Sequence, residues 1–199
     1  MMSRKLYIMR HGETLFNQQK RVQGWSDSPL TEVGIQQAED AGRFFKERHI
    51  FFDKAYSSTQ ERATDTLKLV TDAPYEQLKG LKEMNFGIFE AREENLLPKF
   101  RPGANSFEDL LVPYGGEDIN QVGQRVYQTI QEVLDKTKDD SMLMVSHGAA
   151  LWGLILHLKI TLPADFRFSN CAVCQFGISH QDLSLEALIN PLTREEILL

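Results

Sequence analysis

Apolar positions along this 199-residue chain follow two alternating patterns, short continuous runs and longer stretches at helical spacing. The runs at 6–9, 51–57 and 142–145 have strand length, and 171–178 with 183–188 reads as a late strand pair. Between them, Ile35, Ala38, Ala41 and Phe45 recur on one face, so a helix is predicted from Thr31, its N-cap, to about Arg48. Ala63, Leu67 and Val70 mark a second helix. Its start, Ser58-Thr59-Gln60-Glu61, fits a capping box, which puts Arg62 in the first turn. Ile119, Val122, Val126, Ile130 and Val133 predict a third helix within 116–138, and 148–158 a buried fourth. Such alternation favours a largely parallel sheet covered on both faces. Residues 12–29 form a turn-rich loop. Residues 78–115, broken by glycines and prolines, read as an irregular, lid-like excursion from a single domain spanning 1–199. The tail from Pro191 stays unassigned.

Two runs end alike. Residues 6–9 stop at Arg10-His11-Gly12, and 142–145 stop at Ser146-His147-Gly148. Ligands of open α/β sheets sit beyond the carboxyl ends of the strands, so both imidazoles are expected in one pocket. Arg62 starts a helix leaving another strand, where free N–H groups and the helix dipole favour an anion.

Composition narrows the partners. The net charge of −6 leaves no basic surplus for nucleic acid or an anionic membrane, while a small anionic substrate needs only a local basic pocket. No signal-peptide core or membrane-length run is visible, so a cytoplasmic protein is expected, with a homodimer left open. The two cysteines, Cys171 and Cys174, are spaced like a redox pair. In a strand, residues three apart face opposite ways, so both are expected to be plain buried residues.

These residue types suit phosphoryl transfer. His11 is the candidate nucleophile, since neutral imidazole attacks well near neutrality and needs no metal. Arg10 and Arg62 are candidate clamps because guanidinium forks match phosphate. His147, if protonated, adds a donor, and Asn17 and Ser57 add neutral ones. A carboxylic acid must protonate the leaving oxygen; Glu83 is the candidate, with Glu13, Glu90 and Glu117 as rivals. Arg21 and Trp25 are open to either substrate or packing roles.

The ordered set resembles the histidine phosphatase superfamily, also called phosphoglycerate-mutase-like. It comprises Arg10-His11-Gly12-Glu13-Thr14 with Asn17, Gln23-Gly24-Trp25 through Asp27, and Pro29-Leu30-Thr31 with Gly34. Ser57-Ser58 with Arg62-Ala63 and Thr66 follows, then Leu81, Glu83, Phe86-Gly87 and Glu90. Gly115-Gly116-Glu117, Arg125 and Ser146-His147-Gly148 complete it. The resemblance implies a three-layer α/β/α sandwich with a mostly parallel central sheet, a phosphohistidine intermediate and neither metal nor cofactor. It implies His11 as nucleophile, Arg10, Arg62 and His147 as the phosphate pocket, and Glu83 as proton donor. Asn17 falls where phosphate is often touched, and Gln23 and Gly24 in a loop that often lines the substrate.

Two departures matter. Ala91 stands where the family frequently has glycine. The mutase branch resembles Glu-Arg-x-Tyr-Gly at the acid, with Arg and Tyr holding the substrate's carboxylate; here the run is Glu83-Met84-Asn85-Phe86-Gly87. The expected function is therefore a metal-independent phosphomonoester hydrolase acting on a small phosphorylated metabolite. A cofactor-dependent phosphoglycerate mutase and a non-catalytic phospholigand-binding module are the alternatives.

Overall fold

The computed structural model describes residues 4–163, 166–180 and 182–199. Its strands are β1 (Arg4–Arg10), β2 (Lys54–Ser57), β3 (Tyr75–Gln77), β4 (Ser141–Ser146), β5 (Val173–Ser179), β6 (Asp182–Asn190) and β7 (Glu195–Leu198). The helices are α1 (Leu15–Gln18), α2 (Glu32–Glu47), α3 (Glu61–Val70), α4 (Ile119–Lys136) and α5 (Gly148–His157). All seven strands form one sheet in the order β3-β2-β4-β1-β5-β6-β7. The β3-β2-β4-β1 half is parallel, and β5, β6 and β7 extend it as an antiparallel meander.

Strand alternation sorts the core into two layers. Leu6, Ile8, Met142 and Met144 pack with Val122, Val126, Leu151 and Leu154 of α4 and α5 on one face. Tyr7, Met9, Leu143 and Val145 pack with Ala38, Phe45, Ala63 and Leu67 of α2 and α3 on the other. The three layers follow. Cys174 belongs to the first cluster and Cys171 to the second, so the two sulfurs diverge. Burial pushes both thiols up, Cys171 to about 12, which leaves them protonated and unreactive. Among the described residues, no helix is long and apolar enough to cross a membrane.

Two expectations need revision. Ser58 does not cap α3: the N-cap is Gln60, with no side-chain cap of its own, and Asp27 Oδ2 accepts from Glu61 N–H at 2.6 Å. The carboxylate supplies a full charge to the helix dipole and frees the Ser58 hydroxyl for His147. The tail forms β7, whose four residues are all exposed and thus carry no period of burial.

Register places the chemistry. Arg10 pairs with Ser146, and Ser57 with Val145, so β1, β4 and β2 end side by side. The first turn of α2 presses against the segment after His11. A Cβ on Gly34 would lie 1.9 Å from the Glu13 carbonyl oxygen, and one on Gly12 2.5 Å from that of Gly34. Gly34→Ala is therefore expected to lower stability by about 2 kcal/mol, as overpacking does, and to lower turnover by displacing His11. Denaturant unfolding with parallel kinetics checks this, and an unchanged midpoint would refute it.

Candidate active site

His11 continues the β1 ladder, its N–H donating to Ser146 O at 3.1 Å. Its Nδ1 lies 2.7 Å from Gly12 O. Because a carbonyl only accepts, Nδ1 carries the proton and Nε2 keeps its lone pair. Arg62 Nε donates toward that nitrogen at 3.3 Å. The His147 ring stands 5.2 Å from His11, centroid to centroid, and its Nε2 lies 2.7 Å from Ser58 Oγ.

The cations differ in freedom. Arg62 is fully buried, and its terminal nitrogens donate to Ser26 O and Asp27 Oδ1, both at 2.8 Å, and to Gly24 O at 2.9 Å. It ties the 24–27 loop to α3 and offers Nε to the site. Arg10 donates through one terminal nitrogen to Phe168 O. Its Nε is buried with no hydrogen-bond partner among the described residues, and so is His147 Nδ1. Buried donors are normally paired, and each one left unpaired costs about 1–3 kcal/mol.

Burial, then Arg62 and Arg10, hold the His11 pKa well below the ordinary histidine value. His147 is shifted the same way by burial, Arg62, His11 and Arg10. Both imidazoles are neutral: with Ser58 Oγ accepting from Gln60 N and giving its own hydrogen to His147 Nε2, the His147 proton sits on Nδ1 as a neutral N–H rather than an imidazolium. An unfolded chain would take up protons on these two residues below pH about 6.5 while the folded one does not. Stability should thus fall with decreasing pH from there, by up to about 1.4 kcal/mol per pH unit for each withheld proton. His147→Gln should flatten that slope in phosphate-free denaturant unfolding between pH 7 and 5.5. Parallel slopes in the two proteins would contradict it.

Glu83 is the one of the four candidate acids that lines the His11 cavity. Its carboxylate accepts from Met84 N at 2.8 Å and from Ala150 N and Ala149 N, at the start of α5, at 2.9 and 3.2 Å. Arg125 fixes its backbone, donating to Gly80, Lys82 and Glu83 carbonyls while paired with Glu117. Glu13 is engaged by Thr31 Oγ1, and Glu90 by Trp25 N, Ser26 and Phe86 N.

A cavity of about 250 Å³ collects Arg10, His11, Asn17, Arg21, Gln23, Gly24, Arg62 and Glu83. Gly24 has φ +55°, and a Cβ there would lie 2.6 Å from Glu90 Oε1, so glycine is needed. Arg21 donates to Ala91 O at 3.0 Å, and Ala91 itself has φ +59°. That left-handed backbone costs alanine about 1–2 kcal/mol, and glycine, which the family resemblance leads one to expect here, would adopt it without that cost. Ser57 is not brought to this cavity: its hydroxyl is buried against Thr64 Oγ1 at 3.0 Å, and Ser58 reaches His147 instead.

Several participants lie outside the sequence reading. Gln60 bridges the site, donating to Gly24 O at 2.7 Å and accepting from Glu83 N at 2.9 Å. Asn170 Nδ2 donates to His11 O at 3.1 Å. Glu94, Leu97 and Phe107 also line the cavity. These pairings join residues far apart in the chain and leave no local signal. Among the described residues, no cluster of three or more His, Cys, Asp or Glu could hold a metal ion.

A family model described as histidine phosphatase superfamily (branch 1) matches residues 6–191. A Yersinia pestis (strain Pestoides F) protein named "Probable phosphoglycerate mutase GpmB" is 34% identical over 181 residues, covering 85% of this chain and 82% of that protein. Bacillus stearothermophilus YhfR superposes with a TM-score of 0.78 at 29% identity, covering 91% of this chain and 94% of its own. Entamoeba histolytica phosphoserine phosphatase, solved with 3-phosphoglyceric acid, gives 0.73 at 28% identity, covering 92% and 95%.

Proposed function

The chain belongs to the histidine phosphatase superfamily, and from that premise we propose that it is a metal-independent phosphomonoester hydrolase working through a phosphohistidine on His11. One observation carries this reading: two buried donors without a partner among the described residues, Arg10 Nε and His147 Nδ1, belong to the same cluster as an imidazole whose Nε2 lone pair meets only a long contact from Arg62 Nε, at 3.3 Å. An anion's oxygens satisfy both donors, and the neutral imidazole attacks phosphorus. The Nε2–P bond forms as the ester P–O bond breaks, and Glu83 gives its proton to the departing oxygen. Water then attacks phosphorus, the P–N bond breaks, and the water's proton passes to Glu83. His11, Arg10, Arg62, His147 and Glu83 carry the chemistry in this proposal, with Asn17, Arg21, Gln23 and Gly24 holding the substrate. Hemmed by Arg10 and Arg62, the imidazoles are a poor site for a divalent cation, which supports a metal-free reaction. Buried thiols and a small anionic substrate fit a cytoplasmic enzyme.

The mutase reading draws on the name of the Yersinia relative and on Arg21, a cation at the cavity able to hold a carboxylate. Against it, Met84 is wholly buried and Phe86 is a wall, so the acid segment offers no polar holder. Phosphate release from a panel of phosphomonoesters, with chelator present, tests the proposal. Alkaline quenching should trap one acid-labile phosphoryl group per chain. Isomerisation of monophosphoglycerates by a bisphosphate-primed enzyme, outpacing phosphate release, would establish the mutase instead.

A further inference from the structure

Beside the polar cavity lies a second one of about 690 Å³, whose lining is mostly apolar. The two share Phe107. Glu83 lines the smaller one, and two of the residues whose N–H groups donate to its carboxylate, Met84 and Ala149, line the larger. Phe168 lines it too, and its carbonyl holds Arg10. In-line displacement sends the ester oxygen away from His11, toward the residue that protonates it. Whatever is attached to that oxygen then extends past Glu83 into the larger cavity.

The walls describe the occupant. Phe100 and Phe107, 4.7 Å apart edge to face, stand on the 78–115 segment, and Phe166 and Phe168, 5.0 Å apart, on the segment after α5. A volume in the range of drug-sized ligand sites is far more than a three-carbon acid fills. Trp152, on α5, lines the cavity, and its indole N–H is buried without a partner among the described residues. Buried indole N–H groups usually find an acceptor.

We propose that the larger cavity is the leaving-group site, and that the substrate is the phosphomonoester of a bulky, fused-ring aromatic alcohol carrying a hydrogen-bond acceptor that meets Trp152. This rests on the hydrolase reading. The aromatic faces select ring over chain, and the 250 Å³ cavity, lined by Arg10, His11 and Arg62, receives the phosphoryl group.

The test compares ethyl, 2-naphthylmethyl and the isomeric quinolinylmethyl phosphates, all alkyl esters of comparable intrinsic reactivity. kcat/KM for the ring esters should exceed that for ethyl phosphate by about tenfold or more, as a filled apolar pocket gives. Ala104→Trp, which narrows the cavity, should collapse that ratio about tenfold. Trp152→Phe should lower the best quinolinyl ester more than the naphthyl one. Equal kcat/KM for ethyl and ring esters, or equal losses for all three esters in Ala104→Trp, overturns the proposal. If the wild type hydrolyses none of them, the hydrolase reading fails separately. The cavity is then judged by calorimetry with naphthylmethyl and ethyl phosphonates: tighter binding of the ring, lost in Ala104→Trp, supports it, and equal affinities refute it.

Discussion

His11→Ala should lower kcat for phosphate release by roughly 10⁴-fold or more, the scale seen when a covalent nucleophile is removed. It should also abolish the alkali-stable phosphoryl adduct. The reasoning starts at the ring's two nitrogens. Gly12 O takes the Nδ1 proton, so the lone pair is confined to Nε2, and burial beside Arg62 and Arg10 keeps that nitrogen unprotonated. No other imidazole can substitute, because the Nε2 of His147 is committed to Ser58 Oγ at 2.7 Å. Misfolding would not explain the loss. Removing the ring leaves Arg62 Nε without its partner, a cost of about 1–3 kcal/mol, so the unfolding free energy should drop by that much while the cooperative transition is kept. Arg10 Nε and His147 Nδ1 remain, so inorganic phosphate should still raise the melting temperature of the variant by mass action. A variant that keeps more than a few per cent of wild-type turnover, or that loses the phosphate-induced rise, contradicts this account.

What the sequence disclosed follows from what has a period. The strands ending at Arg10 and Ser146, and helices α2, α4 and α5, are buried on one face or throughout, and burial writes itself as spacing. β3 is a three-residue edge with every residue exposed, and it leaves no such trace. The Ser57 and Ser58 assignment turns on alternation. At a strand end, adjacent residues face opposite ways, so one position decides between a hydroxyl on Thr64 and one on His147. Local pattern suggested that Ser58 caps α3, but a cap depends on which oxygen arrives. Asp27, 34 positions away, arrives through the loop that Arg62 pins. The 78–115 segment reads as irregular, and it is built of short 3-10 turns. The cavity walls at Glu94, Leu97 and Phe107 come from there, which is why the placement of Glu83 was legible from a motif while its surroundings were not.

Glu83→Gln should separate the acid's chemical role from its structural one. For alkyl phosphates, kcat/KM is expected to fall by about 10²- to 10⁴-fold, the usual worth of a positioned general acid. For a 4-nitrophenyl ester, whose phenolate departs without a proton, the loss in the phosphorylation step should be far smaller. The substitution is not neutral for packing. The carboxylate accepts from three backbone N–H groups, two of them at the start of α5. An amide can face them with only one oxygen, so stability should drop by about 1 kcal/mol. Structural damage of that kind displaces phosphate and leaving group together, and would depress both esters in parallel. The quantity that decides is therefore the dependence of rate on leaving-group acidity: steep in Glu83→Gln and shallow in the wild type if Glu83 delivers the proton, equal in both if it only braces α5. A parallel pair of slopes would transfer the proton to another donor, and Arg10, His11 and Arg62 would still define the phosphoryl site without it.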